Sequence, residues 1–317
     1  MALSLTPHRG PEEPEPEVNP LEGMARVLQA SGRYRVLRAF EPARMYASPG
    51  PAADIRAGLI VDVETTGRNA AADRIIELAM LPFTFDRTLG VVLTVGEPLS
   101  WLEDPERPIP DEVVELTGIT DAMVAGQRID DDDATAALQS ADLVIAHNAR
   151  FDRPFVEARL PVALERHWAC SMSEVPWKER GNPSSALGAL LITHAACFPP
   201  EDDGDHAHRA TTDCAMTLHL LATPHVDGTL PFTTLLASAR RKTTRVVAVG
   251  APFDRKDLLK ARDYKWDAER RVWAIEVGAD RVEAETAWLE AHVYDGGSRA
   301  PYETETLNAR RRYSARG

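Results

Sequence analysis

A chain of 317 residues has room for about two domains, and 44% hydrophobic with 27% charged residues describes an ordinary soluble protein with a real core. No run reaches the roughly 18 apolar residues of a membrane span, no charged segment followed by an apolar one opens the sequence as a secretory signal would, and three cysteines without a spaced framework fit a reducing cytoplasm. A net charge of −13 excludes a protein that coats nucleic acid by bulk electrostatics.

Residues 1–20 are dense in Pro and Glu (Pro11-Glu-Glu-Pro-Glu-Pro-Glu17), bury too little to order themselves, and are read as disordered. A short helix is predicted at Leu21–Ala30, and the breaker Ser48-Pro-Gly-Pro51 closes an N-terminal extension, 1–50. The main domain, 54–223, opens with predicted strands at Gly58–Glu64, Arg74–Phe85 and Leu89–Gly96, the last two joined by a polar turn. Helices are predicted at Asp111–Thr117 and Asp133–Ser140, then a short apolar strand at Asp142–Ala146 and a helix at Ala149–Arg159. A strand at His167–Ser171 and helices at Ser184–Ala195 and Ala210–Leu221 follow. This order predicts the α/β class, a mixed sheet flanked by helices.

A small α+β C-terminal unit, 231–296, reads as helix (Phe232–Arg241), strand (Arg245–Val249), helix (Arg255–Arg262), a hairpin around Trp266–Trp273 and a helix (Ala279–Val293). A basic tail, 297–317, ends the sequence. Charge is divided unevenly: Asp54–Ala222 holds 13 Lys/Arg against 29 Asp/Glu, whereas Leu236–Lys265 holds 9 against 3, and Arg310, Arg311, Arg312 and Arg316 follow. Such a division suits chemistry in the acidic body and phosphate contact from the basic C-terminal segments and tail. Tyr264, Trp266, Trp273 and Trp288, interleaved with Lys260, Arg262, Lys265, Arg270 and Arg271, suit either a stacking surface for a single strand or the core of a small unit.

The most informative segment is Gly58-Leu-Ile-Val-Asp62-Val-Glu64-Thr-Thr-Gly67. Alternate residues of a strand share a face, so Ile60, Asp62 and Glu64 line one side and Leu59, Val61 and Val63 the other. Two carboxylates side by side at the end of a buried strand repel each other and are costly to desolvate. A hard divalent cation resolves that conflict; a strand running out into solvent is the alternative. Asp152 opens a helix in His147-Asn148-Ala-Arg-Phe151-Asp152. Asp213 shares a helical stripe with Met216, Thr217 and Leu220 and so points at the sheet. Four carboxylates from a strand end and two helices are a ligand set for two metal ions that clamp the attacking and leaving oxygens of a phosphodiester. His208 and His206 both stand ahead of the last helix as candidate proton acceptors. A zinc site from His194, Cys197, His206, His208 and Cys214 has superficially suitable spacing, but it consumes the candidate base.

Asp62-Val-Glu64-Thr-Thr-Gly67, His147-Asn-Ala-Arg-Phe-Asp152 and His208-Arg-Ala-Thr-Thr-Asp213 resemble, in order and spacing, the three exonuclease motifs of the DEDDh family, to which DnaQ-type proofreading exonucleases belong. The resemblance covers Leu59–Leu221. It implies an RNase H-like fold, two Mg²⁺ or Mn²⁺ ions on Asp62, Glu64, Asp152 and Asp213, and 3′→5′ removal of nucleotides from DNA 3′ ends as 5′-monophosphates. It selects His208 over His206 as the catalytic base, because the family's histidine stands five positions before the last Asp. By the same resemblance Thr65, Thr66, Thr117, Gly118 and Ile119 contact the terminal nucleotide, with Ile119 wedged against a base. His147, Asn148 and Phe151 join the substrate-binding set; Phe151 and Phe155 suit either stacking on a base or the core. The implied partners are single-stranded DNA 3′ ends and a DNA polymerase or other replication protein, with no membrane and a cytoplasmic location. An exoribonuclease of the same fold and a non-catalytic polymerase-associated module are the alternatives.

Overall fold

The computed structural model describes residues 19–199, 209–268, 270–294 and 302–315. The disorder expected of residues 1–20 therefore falls almost wholly outside the described residues. Helix α1 (Pro20–Ala30) and the two-residue strand β1 (Arg38–Ala39) precede β2 (Ile55–Thr65), β3 (Ile75–Asp86), β4 (Val91–Val95) and β5 (Leu99–Leu102). Helices α2 (Asp111–Thr117), α3 (Asp121–Val124) and α4 (Asp131–Ser140) lead to β6 (Leu143–Ala146), α5 (Ala149–Arg159) and β7 (Trp168–Cys170). Next come α6 (Ser171–Glu174), α7 (Leu187–Thr193), β8 (Cys197–Phe198), α8 (Ala210–Ala222) and α9 (Pro231–Arg240). The C-terminal part holds β9 (Thr243–Ala248), α10 (Lys256–Ala261), β10 (Lys265–Asp267), β11 (Val272–Gly278), α11 (Val282–His292) and β12 (Tyr302–Leu307).

The main sheet runs β4-β3-β2-β6-β7, with β5 also paired to β3. Strands β2 and β3 are antiparallel, while β2–β6 and β6–β7 are parallel, so the sheet is mixed as expected. All four residues of β6 are buried, as a parallel strand covered on both faces requires. Alternation along β2 separates two cores. Leu59, Val61 and Val63 pack with Leu138, Phe155 and Val156 of α4 and α5. Ile60, on the other face, packs with Cys214, Leu218 and Leu221 of α8. Asp62 and Glu64 continue the Ile60 face, and α8 lies over it.

The four-stranded antiparallel sheet β10-β11-β9-β12 forms the small C-terminal unit. Trp266 and Trp273 sit opposite each other in its hairpin, ring centroids 5.4 Å apart, as the sequence suggested. Three boundaries differ from expectation. Helix α9, expected to open the small unit, packs on the main core through Phe232, Leu235, Leu236 and Ala239. Residues 31–50, expected to be a loose extension, place Phe40 and Tyr46 on that same core. The segment expected to be a plain basic tail supplies β12, which pairs with β9 along its length.

After β12 the chain returns to the main domain as a strap. Arg153 of α5, wholly buried, donates to the carbonyls of Arg310 and Arg312 at 2.6 Å each and pairs with Glu157 at 2.6 Å. Arg312 is buried against Glu174 (3.0 Å), and the amide of Trp168 donates to Ala309 O at 2.7 Å. Arg312 is thus structural and unavailable to phosphate, which corrects the expectation for that residue; Arg311 is paired with Glu305 at 2.9 Å but exposed, Arg310 is exposed, and Arg316 lies outside the described residues. Among the described residues no helix is long and apolar enough to cross a membrane.

Removing one partner of a buried ion pair leaves the other charged and desolvated. Arg153→Ala, which also releases the strap, is expected to lower unfolding stability by about 3–5 kcal/mol in urea titrations. A change within about 0.5 kcal/mol, the scale of an ordinary surface substitution, would show that the strap does not hold α5.

Candidate active site

The end of β2 is shaped by its neighbours. The register against β3 slips between Glu64 and Thr65, an irregularity that turns the chain away from the sheet. The loop beyond is pinned by backbone and side chain together: Thr66 N donates to Arg74 O at 2.9 Å, and Thr66 Oγ1 accepts from Arg74 N at 3.0 Å and from Arg107 Nη2 at 2.5 Å. A Cβ at Gly67 would lie 2.4 Å from Asp73 Oδ2, so a larger residue there displaces the Asp73 carboxylate.

Asp62 and Glu64 are half-buried on the α8 face, and Asp213 meets them from the first turn of α8. One carboxylate oxygen from each of the three lies within 4.8 Å of the others. Asp152 comes from the first turn of α5, is 2% exposed, and accepts a hydrogen bond from Val63 N at 3.3 Å. After burial itself, the charge of Asp152 is the strongest influence raising the pKa of Asp62. The four acids therefore share one electrostatic site, although only three present oxygens in mutual ligand range.

Their environment opposes ionisation. Burial, then repulsion from Asp152, Asp213 and Glu64, pushes Asp62 well above the usual carboxylate range. Burial and the charge of Asp213 push Glu64 up to about 8. Burial lifts Asp152 to about 7 despite the backbone donors that favour its charged form. Crowded oxygen donors that repel one another are the donor set a hard divalent cation accepts, so the residues fit magnesium or manganese. Of the zinc alternative, Cys214 is enclosed between the carbonyls of Ile60 and Ala79, and the acidic trio is the metal-competent cluster among the described residues.

Sequence reading missed Glu77 and Arg209. Glu77, wholly buried on β3, stands directly across from Glu64 in the ladder. It pairs with Arg209 (Nη2–Oε1 2.8 Å) and accepts from Ala210 N at 3.2 Å. Helix α8 has no side-chain cap of its own, so Glu77 satisfies one of its orphan amides from the sheet. This clamp fixes the helix start one turn before Asp213. The signal was present in the sequence as a lone acid inside the apolar run Ile75-Ile76-Glu77-Leu78.

The other expected residues fall variously. His208 and His206 lie outside the described residues. His147 is buried, its Nδ1 2.8 Å from Ser171 Oγ and its Nε2 2.8 Å from Ser185 O. Both of its ring nitrogens are engaged by the protein. Thr65 is buried and donates to Gly67 O at 2.5 Å, and Thr117 donates to Val113 O at 2.9 Å. Gly118 takes the left-handed conformation (φ 70°) that ends α2. Ile119, expected as a wedge against a base, is completely enclosed with Ile76, Ile109 and Val124. The exposed apolar side chain of that turn is Leu116, at 57%. Asn148 is exposed, and Phe151 is half-buried, its ring 5.2 Å from that of Phe155.

A family model named RNase T and described as an exonuclease matches residues 59–221, just over half of the chain. The chain belongs to the RNase T/DnaQ-like 3′→5′ exonuclease family. It is 37% identical over 177 residues to the epsilon subunit of DNA polymerase III from Treponema pallidum, covering 51% of this chain and 73% of that one. It is 30% identical over 162 residues to exodeoxyribonuclease 10 of Escherichia coli, covering 51% and 66%. The PolC-type DNA polymerase III of Listeria welshimeri is 38% identical over 117 residues, 34% of this chain and 7% of the polymerase, so the chain spans a small fraction of that relative. All three matched motif positions with carboxylates in this family member (Asp62/Glu64, Asp152 and Asp213) fall inside the matched region.

Two outcomes follow from the site. In chelator, the raised carboxyls hold protons in the folded state that they lose in the unfolded state, where the ordinary values are near 4. The contribution of Glu64 and Asp152 favours folding most below about pH 4, falls as pH rises, and levels off above about pH 8. Buried imidazoles such as His225, which burial holds down to about 4, act in the opposite sense. The comparison of wild type with Glu64→Gln isolates the cluster: the stabilising effect of Glu64→Gln on Tm in EDTA is expected to grow from pH 5 to pH 8 and to vanish in excess magnesium. A pH-independent difference would contradict the electrostatic account. For the clamp, Arg209→Ala strands a buried Glu77 and is expected to destabilise by about 3 kcal/mol. Adding Glu77→Gln should recover more than half of that loss in denaturant titrations; simple additivity would show that the pair is not coupled.

Proposed function

We propose that the protein is a metal-dependent 3′→5′ exodeoxyribonuclease that hydrolyses nucleotides from DNA 3′ ends to 5′-monophosphates. The observation that carries this reading is the approach of Asp62, Glu64 and Asp213 within 4.8 Å, with buried Asp152 beside them, in a member of this exonuclease family. DNA rather than RNA is favoured because the relatives are, by name, an exodeoxyribonuclease and parts of DNA polymerases. Those names also make a DNA polymerase the partner class to test by co-purification.

Held by these carboxylates, two magnesium or manganese ions supply Lewis-acid stabilisation of the scissile phosphate and acidify water at the site. The chain's own groups set the geometry. Asp62 and Glu64 are aimed by strand alternation, Asp213 by the Glu77–Arg209 clamp, and Asp152 by the backbone amide of Val63. The first turns of α5 and α8 both carry a cluster carboxylate, so each helix dipole favours the negative charge gathered there. His208, the residue before Arg209, takes the proton of the attacking water.

A 5′-labelled single-stranded DNA is expected to shorten stepwise from its 3′ end with release of 5′-mononucleotides in magnesium or manganese, and to remain intact in EDTA. Asp62→Ala and Asp213→Ala should abolish cleavage while the proteins stay folded. His208→Ala should lower kcat by roughly 10²–10⁴ with little change in KM, and His206→Ala should be mild. Full activity in EDTA, or internal cleavage products, would overturn the reading.

A further inference from the structure

The C-terminal unit contributes a surface that the carboxylate chemistry does not use. A cleft of about 770 Å³ lies between α5 and the small sheet. Arg150 and Pro154 line it from α5; Lys265 and Trp266 of β10, together with Arg281, line it from the small unit. A recess of about 250 Å³ containing Asn148 and Phe151 shares Arg150 and Pro154 with the cleft. In sequence those two residues bracket Asp152, so one helical turn presents a catalytic carboxylate inward and the cleft wall outward. The cleft and the reaction site are therefore neighbours across a single helix.

The charge of the cleft departs from that of the chain. Arg245, Arg262 and Arg311 line it already paired, with Asp267 (2.8 Å), Glu285 (2.8 Å) and Glu305 (2.9 Å). Arg150, Lys265 and Arg281 are exposed and have no carboxylate partner among the described residues. Of the acids on the wall, Asp267 is paired with Arg245, Glu276 accepts from Thr243 and lies 3.5 Å from Arg312, and Asp263 is exposed. Three cations without an ion-pair partner among the described residues thus gather against one exposed acid without one, Asp263, in a protein whose net charge is −13. Beside them Trp266 is 50% exposed, an unusual state for an indole, and the adjoining Trp273 fixes its plane. Cations along a groove with a presented aromatic face are the requirements for gripping unstacked bases and their phosphates. A double helix hides its base faces, and an acidic peptide leaves the indole without a partner.

Building on the exonuclease reading of the carboxylate site, we propose that this cleft holds the single strand of nucleic acid leading to the 3′ end under cleavage, with phosphates on Arg150, Lys265 and Arg281 and a base stacked on Trp266. It gives an acidic nuclease a local, short-range hold on its polyanionic substrate.

The test uses the full chain and a fluorescein-labelled single strand of about 20 nucleotides, as DNA and as RNA, with binding measured in EDTA so that nothing is cleaved. Trp266→Ala is expected to weaken binding roughly 5- to 150-fold, the worth of one stacked base, and Trp266→Phe to restore most of it. Lys265→Ala/Arg281→Ala should reduce the slope of log K against log salt by about 1.4, the loss of two single-strand phosphate contacts. In magnesium, these variants should raise KM on the long strand and leave turnover of a dinucleotide unchanged. Unchanged affinity and salt slope in both variants would overturn the cleft assignment, as would tighter binding to a blunt duplex than to a single strand. The two readings fail separately: a wild type that binds the strand in EDTA yet degrades nothing in magnesium contradicts the nuclease reading. Variants that trim long strands with wild-type KM contradict only the cleft.

Discussion

Asp62, Glu64, Asp152 and Asp213 are driven together by the fold and apart by their charges. Strand β2 carries two of them on its α8 face, α8 brings the third within 4.8 Å, and α5 buries the fourth behind the strand. No stabilising interaction within the apolar core requires this convergence. The surrounding structure is arranged to tolerate it: two helix N-terminal turns face the cluster, a backbone amide meets Asp152, and burial keeps the carboxyls protonated until a cation takes the proton's place. A cluster of this kind costs stability in the metal-free protein and acquires its purpose only with a divalent ion and a phosphate.

The supports around it extend outward in layers. Glu77 and Arg209 tie the start of α8 to β3, and that tie sets where Asp213 lies relative to Glu64. On the opposite face, Arg153 anchors α5 to a strap from the end of the chain, so the helix bearing Asp152 is braced by residues more than 150 positions away. The small C-terminal sheet is therefore attached on both sides, through α9 before it and the strap after it. A truncation near residue 230 removes both attachments together, which makes it a poor probe of what the small sheet does and favours point substitutions such as those at Lys265 and Trp266.

Much of this was legible in the sequence, because alternation and helical periodicity are local. The spans of α2 and α5 matched expectation to the residue, and the face assignment of Asp62 and Glu64 followed from strand geometry alone. What escaped depends on long-range pairing. β5 is four residues of mixed polarity, defined by its ladder with β3, and β12 alternates Tyr302, Thr304 and Thr306 against two glutamates, a pattern that reads equally well as an exposed tail until β9 provides a partner. Ile119 and His147 show the converse. Both stand in motif-like surroundings, yet the enclosure of one among isoleucines and the double hydrogen bonding of the other are set by elements distant in sequence. Glu77 belongs with them: a single acid in an apolar run gains its meaning from Arg209, 132 positions away.

The central claim is that these carboxylates exist to hold divalent cations. Calorimetric titration of the metal-free protein with manganese, repeated in buffers of different ionisation enthalpy, measures binding and proton release together. The account predicts saturable binding that releases protons near pH 6.5, where Glu64 and Asp152 retain them, and fewer as pH rises past about 8. Asp213→Asn should weaken binding sharply. Absence of binding, or binding that is indifferent both to pH and to Asp213→Asn, would contradict it.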